Sequence, residues 1–214
     1  MSKGLVDQEH LAKNIIEIYR KHGPAWTALR GKVLYEKDWL DQFLALLPEQ
    51  ASILDLGCGA ATTLGAYLIA QGHHLTGIDS AECMIEMAQQ NFPQHLWLHQ
   101  DMRSIELHQT FDGILAWDSF FHLTPADQEK MFDRFARHAK VGTALMFTSG
   151  PSHGEAIGDM FGDALYHASL APDEYEVLLN RYGFEVINRV AEDAHCAGHT
   201  IWLAQRFEIR GEQE

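Results

Sequence analysis

Two acidic residues flank a pair of glycines in the first half of the chain. Asp55 lies two residues before Gly57, and Gly59 follows where an apolar run gives way to a helical pattern. Glycine at such a turn permits positive φ and lets a ligand approach the backbone closely. Asp79 ends the next apolar run, where an acid can accept hydrogen bonds from both hydroxyls of a ribose.

These residues favour a nucleoside ligand that carries a positive charge. Asp55 suits an ammonium group and would repel the pyrophosphate of a dinucleotide. The dinucleotide fingerprint G-x-G-x-x-G also needs Gly or Ala at position 62, where this chain has Thr62. The turn therefore predicts binding of an adenosyl amino acid, rather than a nicotinamide or flavin dinucleotide.

Candidate catalytic groups follow the fourth predicted strand. Asp118 or His122 could accept a proton from a substrate hydroxyl or amine, with a structural role as the alternative for both. Phe121 lies beside them, while Tyr166 and His167 fall in a glycine-rich segment, 149–171, that is predicted to be an irregular loop. Long ordered loops are usually functional, so we expect these three rings to line a substrate pocket. Anchoring of the loop is the alternative for Tyr166 and His167.

The cysteines and histidines predict neither a metal centre nor disulfide bonds. Cys58, Cys83 and Cys196 match no zinc pattern and no disulfide framework, so we expect free thiols in a reducing cytoplasm. His195 and His199 flank Cys196 in one predicted turn, but a fourth ligand is not evident. We therefore predict that the protein holds no metal ion.

Alternating apolar runs and helical patterns predict the fold that positions these residues. A helix at 172–182 is followed by two strands whose short connection leaves no room for a crossover helix, so they should pair antiparallel. The pattern predicts a Rossmann-like α/β fold: a seven-stranded sheet, parallel except for its antiparallel last strand, with helices on both faces. The predicted strands are 52–56, 75–78, 96–99, 111–117, 143–148, 184–190 and 200–207, and the helices between them are 60–71, 81–91 (capped by Ser80) and 125–140.

The N-terminal segment predicts a helical lid. Residues 8–22 show helical spacing, Gly23-Pro24 predicts a break, and a second apolar stripe runs from Trp26 to Leu47. We expect residues 1–47 to form a cap over a ligand-binding domain at 48–214, in one compact protein. Trp26 could cover the ligand and Arg30 could pair with its carboxylate, or the segment could be an amphipathic helix that only packs on the domain.

The sequence Ile53-Leu54-Asp55-Leu56-Gly57-Cys58-Gly59 resembles the first motif of the class I S-adenosylmethionine-dependent methyltransferases. The likeness runs from about Leu40 to Arg206, although Ala61 stands where the family often has a third glycine. Two of the residues that the resemblance assigns to the adenine have structural alternatives: Met84 could belong to the helix core, and Asp101 could be a helix cap. The resemblance implies that Asp55, Gly57 and Gly59 surround the methionine half of the cofactor, with Cys58 also in contact with it. Asp79 and Ser80 would lie at the ribose, Met84, Asp101 and Met102 at the adenine, and Trp117 near the sulfonium.

Composition narrows the classes of partner. The formal net charge is −14, which repels phosphate backbones and makes a nucleic-acid substrate less favoured. The first seven residues lack the apolar core of a signal peptide, and no apolar run is long enough to span a membrane. These features predict a cytoplasmic protein without membrane contact, either a monomer or a homodimer.

The sequence predicts a methyltransferase that moves a methyl group from S-adenosylmethionine to O or N of a small molecule, leaving S-adenosylhomocysteine. Two alternatives remain open. One is a non-catalytic protein that binds an adenosyl ligand and has no acceptor pocket. The other is a methyltransferase that acts on a protein or a nucleic acid, which would need a broad groove.

Overall fold

The computed structural model describes residues 8–208, which form a twisted sheet with helices on both faces. The sheet has seven strands in the order β3-β2-β1-β4-β5-β9-β8. These are β1 Ser52–Leu56, β2 His74–Asp79, β3 Leu96–His99, β4 Phe111–Ala116, β5 Ala139–Ser149, β8 Phe184–Asp193 and β9 His199–Arg206. A separate antiparallel hairpin is formed by β6 Gly154–Met160 and β7 Asp163–Ser169.

The strand pairing confirms the predicted sheet. β1 pairs in parallel with β2 on one side and β4 on the other, and β5 continues the parallel series next to β4. β9 runs antiparallel to both β5 and β8, as the short connection between the last two strands requires. The carboxyl ends of β1, β2 and β4 therefore meet at one edge, where open α/β sheets bind ligands.

Two apolar layers cover the sheet. The helices are α1 Gln8–Arg30, α2 Lys37–Leu44, α3 Leu64–Ala70, α4 Glu82–Asn91, α5 Pro125–Arg137 and α6 Pro172–Arg181, with short 3-10 turns at Met102–Ser104 and Phe120–His122. Phe132 and Phe135 of α5 pack with Tyr175 of α6 on one face. Trp39 and Phe43 of α2 lie in the core of the other. Among the described helices, none has the length and apolar character to span a membrane.

The predicted break at Gly23-Pro24 is wrong, because α1 continues through it. Proline lacks an N–H and leaves the carbonyl of Arg20 without its helical donor. The Cys83 thiol lies 3.7 Å from that oxygen and 3.6 Å from the oxygen of Tyr19. A Cβ on Gly23 would lie 3.0 Å from the Met84 side chain, so this glycine allows α1 to pack closely on α4.

The predicted irregular loop at 149–171 is also wrong, since most of it forms the β6–β7 hairpin. Gly162 takes a φ of +91° at its turn, which glycine alone adopts without strain. Ser80 does not cap α4: the N-cap is Ala81, and the Asp79 carboxylate accepts its N–H. The helix predicted from residue 60 begins at Leu64, because Ala61 has a φ of +54° and prolongs the glycine turn. Smaller shifts place the end of α5 at Arg137 and the start of β5 at Ala139.

Candidate functional site

A cavity lies beyond the carboxyl ends of β1, β2 and β4, and α1 forms one of its walls. With its open mouth it encloses about 1340 Å³. Its walls come from the glycine turn, the ends of β2 and β4, the 3-10 turn at Met102–Ser104, and the inner side of α1. All the predicted cofactor contacts line this cavity: Asp55, Gly57, Cys58, Gly59, Asp79, Ser80, Met84, Asp101, Met102, Trp117, Trp26 and Arg30.

The two glycines serve the turn in different ways. Gly57 has a φ of +79°, and a Cβ there would lie 2.2 Å from the Cβ of Ser119. Its N–H donates to the carbonyl of Ile78 at 2.7 Å, which joins the turn to β2. Gly59 has a φ of +54°, and no atom of the described residues would lie within 4 Å of an added Cβ. Gly57 therefore allows tight packing, whereas Gly59 leaves room for a ligand.

Two carboxyl groups give the turn its electrostatic character. Asp79 accepts the N–H of Gly59 at 2.9 Å through Oδ2 and the N–H of Ala81 at 2.8 Å through Oδ1. Asp55 is 4% exposed, and within residues 8–208 its carboxyl is influenced by burial and by Asp79, without a hydrogen bond from either of its neighbours. Burial, and then the charge of Asp79, raise the pKa of Asp55 to about 7. A cation bound beside these acids would stabilise both in their ionised form.

The predicted adenine contacts also have structural roles. Met84 is buried and packs against Ala60 and Ala81, so it is both helix core and cavity wall. Asp101 caps the 3-10 turn, accepts the N–H of Arg103 at 2.9 Å, and forms an ion pair with the Arg103 side chain. The helix-cap alternative for Asp101 is correct, and its position at the cavity remains compatible with ligand binding.

Glu36 binds the guanidinium of Arg30, which was predicted to pair with the carboxylate of the ligand. Arg30 forms an ion pair with the fully buried Glu36 and lies 4.4 Å above the ring of Tyr35. Both Arg30 and Glu36 line the cavity, beside Trp117 at the end of β4. Nothing in the local sequence marks Glu36, since it lies in the link between two helices. The guanidinium charge of Arg30 is thus balanced by Glu36 before any ligand binds.

Asp118 lies in an ion pair with His199, which sequence reasoning considered only as a metal ligand. Nε2 of His199 lies 2.8 Å from Oδ1 of Asp118, and Nδ1 lies 2.7 Å from the carbonyl oxygen of Cys196. The carbonyl oxygen can only accept, so Nδ1 donates to it, and the protonated ring also donates from Nε2 to the Asp118 carboxylate. Burial lowers the pKa of His199, but the hydrogen bond and charge of Asp118 outweigh it and raise the pKa overall. Because Asp118 already accepts a hydrogen bond from His199, it is a poorer general base than the sequence indicated.

His122 occupies the other end of the same wall. It is 6% exposed, with Nδ1 2.8 Å from the carbonyl oxygen of Tyr166 and Nε2 3.0 Å from the hydroxyl of Tyr19. Burial lowers the pKa of His122 to about 4, so the ring is neutral at physiological pH. Tyr19 on α1 lines the cavity and was not identified from the sequence, because it falls within an ordinary amphipathic pattern.

The structure does not bring the three rings of the predicted substrate pocket to the cavity. The rings of Phe121 and His167 lie behind His122, with centroids 4.8 Å and 4.9 Å from its ring. Tyr166 is fully buried beneath α1, and its hydroxyl donates to Glu155 within the β6–β7 hairpin. The hairpin causes the difference for Tyr166 and His167, which it packs against α1 and His122. Phe121 lies in the 3-10 turn and packs against His167.

Comparisons with known proteins agree with this geometry. A family model described as a methyltransferase domain matches residues 53–142. The candidate methyltransferase YqeM of Bacillus subtilis strain 168 is 32% identical over 158 residues, 70% of this chain and 61% of YqeM. The match thus spans less than two thirds of that relative's length.

Solved structures share the fold at low sequence identity. One is the 1,6-didemethyltoxoflavin-N1-methyltransferase of Burkholderia thailandensis, with a TM-score of 0.75 and 16% identity over 97% of this chain and 94% of that chain. Another is the magnesium protoporphyrin IX methyltransferase of Synechocystis PCC 6803, with a TM-score of 0.68 and 18% identity over 96% and 100% of the two chains. The family-model match identifies residues 53–142 as a methyltransferase domain, and the strand order gives the chain the fold of these S-adenosylmethionine-dependent methyltransferases.

Proposed function

We propose that the protein transfers a methyl group from S-adenosylmethionine to an oxygen or nitrogen atom of a small molecule. The observation that carries this proposal is the buried Asp55 with the partly buried Asp79, beside the open space at Gly59. The two carboxyl groups match a ligand that carries ribose hydroxyls and a positively charged amino acid. The bound cofactor supplies a methyl group on a sulfonium, and the protein's residues align the acceptor with it and exclude water.

Three features support a small acceptor. The cavity is a pocket under α1 rather than a broad groove, and the net charge of −14 opposes a nucleic-acid substrate. The toxoflavin and porphyrin enzymes named above act on small molecules, which favours the same class here. Trp117 and His122 line the cavity without filling it, and Tyr166 stays outside, which favours catalysis over simple ligand binding.

Calorimetric titration with S-adenosylhomocysteine tests the cofactor assignment. We expect wild-type protein to bind it, and Asp79→Asn to bind it roughly 10- to 100-fold more weakly, since a hydrogen bond to a charged group contributes about 1.5–3 kcal/mol. Asp112→Asn is the matched control, because Asp112 accepts from Ser52 and Lys140 outside the cavity. No binding by wild type, or equal losses in both variants, would contradict the assignment. Labelled S-adenosylmethionine incubated with a metabolite extract then identifies the acceptor.

A further inference from the structure

Tyr19 and His122 form a hydrogen-bonded pair whose proton positions are fixed by the structure. The carbonyl oxygen of Tyr166 can only accept, so Nδ1 of His122 must carry the ring proton. Nε2 of the neutral ring is then an acceptor, and the hydroxyl of Tyr19 donates to it at 3.0 Å. A proton delivered to Nε2 must therefore pass through the phenol oxygen of Tyr19.

The position of Tyr19 suits contact with both substrates. Its side chain lines the cavity and packs with Met84, Ala60 and Ala81 on the side predicted for the adenosine. Its ring also meets His122 edge-on, with centroids 5.5 Å apart. Tyr19 thus links the predicted cofactor side of the cavity to the neutral imidazole.

Charge decides how this pair can act. Burial and the nearby carboxylates of Asp118 and Asp79 raise the pKa of Tyr19, so it remains a neutral phenol. A neutral phenol accepts a proton only if it passes its own proton on. His122 is placed to receive it, and its protonated ring keeps the hydrogen bond from Nδ1 to Tyr166.

We propose that Tyr19 is the catalytic residue that takes the acceptor's proton, with His122 receiving the proton of Tyr19. This inference rests on the proposed function and narrows the acceptor to a neutral O–H or N–H group. The acceptor's lone pair forms the bond to the methyl carbon, and the electrons of the carbon–sulfur bond stay on sulfur. The acceptor proton moves to the Tyr19 oxygen, the Tyr19 proton moves to Nε2 of His122, and the imidazolium later releases it to water.

The groups that face His122 predict a methyl-transfer rate that does not change with pH in the neutral range. They are Tyr19 from α1, His167 from β7 and the charge of Asp118 after β4. Because the pKa of His122 lies at about 4, the ring is a neutral acceptor across the neutral range. Without the Tyr19 hydroxyl, the acceptor must lose its proton to solvent base, and the rate should rise with pH.

Tyr19→Phe, His122→Asn and the double variant test the proposal, with Tyr67→Phe as the matched control. Tyr67 donates to the surface carboxylate Asp41 and lies outside the cavity. We expect all four variants to bind S-adenosylhomocysteine within about threefold of wild type. Nitrogen-15 NMR of the full chain should show the Nδ1–H tautomer of His122, with the Nε2 signal shifted in Tyr19→Phe and unchanged in Tyr67→Phe.

Label transfer from S-adenosylmethionine to the metabolite extract provides the kinetic arm. We expect Tyr19→Phe to lose about 100-fold or more and to gain a pH-dependent rate, as general-base loss predicts, while Tyr67→Phe keeps the wild-type rate. The double variant should be no slower than the worse single variant, because the two residues act in one step. Three results would overturn the relay but not the proposed function. They are an Nε2–H tautomer of His122, an unchanged transfer rate in Tyr19→Phe, or a rate loss in the double variant that equals the product of the two single losses. A wild type that transfers no label overturns the proposed function, and the relay with it.

Discussion

The carboxyl of Asp55 makes stability depend on pH with an unusual sign. Its pKa of about 7 lies above the value near 4 of an unfolded Asp, so the native state holds a proton that the unfolded chain has lost. Between these values the unfolding free energy falls as pH rises, by about 4 kcal/mol in total, since each pKa unit corresponds to about 1.4 kcal/mol. Asp55→Asn removes this dependence. Urea unfolding at about pH 5 and about pH 8 should show a smaller loss of stability in the variant than in wild type.

Asp112 supplies a control of opposite sign. Burial raises the pKa of Asp112, but hydrogen bonds from Lys140 and Ser52 outweigh it and lower the pKa overall. Its contribution is therefore present above the unfolded pKa and is lost as pH falls. Asp112→Asn should lose stability mainly at the higher pH. If Asp55→Asn behaves like Asp112→Asn, the carboxyl of Asp55 is not the buried, unpaired group seen in the structure.

Residues that share one β–turn–α unit could be predicted from the sequence. Asp55, Gly57, Gly59 and Asp79 follow from local spacing, because the turn and the next strand end must lie side by side in a parallel sheet. His199 could not be predicted, since its partner Asp118 follows β4, far away in the sequence, and the two meet only through the antiparallel placement of β9 beside β5. Local patterns carry no information about such pairs.

At the scale of elements, α1 is tied to the β6–β7 hairpin through Asp163. Its carboxylate accepts from Lys21 and from His22 at 2.7 Å each, and Ile15 and Ile18 of α1 pack with Tyr166 of the hairpin. Ion pairs this exposed contribute little to folding, so global stability should change little without them. Asp163→Ala should instead speed hydrogen exchange of α1 amides and weaken S-adenosylhomocysteine binding by roughly two- to fivefold.

Asp133→Ala is the comparison for that variant, because Asp133 pairs with Arg137 at 2.7 Å within α5, outside the cavity. It should leave both the exchange of α1 and the affinity unchanged. Slow exchange throughout α1 in Asp163→Ala would show that apolar contacts alone hold the helix on the hairpin.

Local rules misassigned these same elements. Gly-Pro normally ends a helix, but Gly23 and Pro24 stay helical because α4 packs against the glycine and the Cys83 thiol approaches the carbonyl of Arg20 that the proline leaves without a donor. Glycines at 154, 158 and 162 suggested a loop, although the register of β6 against β7 is unbroken. In both cases tertiary contacts override a weak local preference.

At the scale of the whole molecule, ligand binding should be coupled to global stability. The cavity wall draws on segments from α1 to the start of α5, so the site exists only when most of the sheet and α1 are in place. A ligand that binds only the native state adds about 2.7 kcal/mol at 100 times its Kd. For a chain of this size each kcal/mol raises Tm by about 2–4 °C, so S-adenosylhomocysteine should raise Tm by about 5–10 °C. Differential scanning fluorimetry measures this. The shift should shrink in Asp79→Asn and be absent with NAD, whose pyrophosphate Asp55 repels; a larger shift with NAD would reverse the ligand assignment.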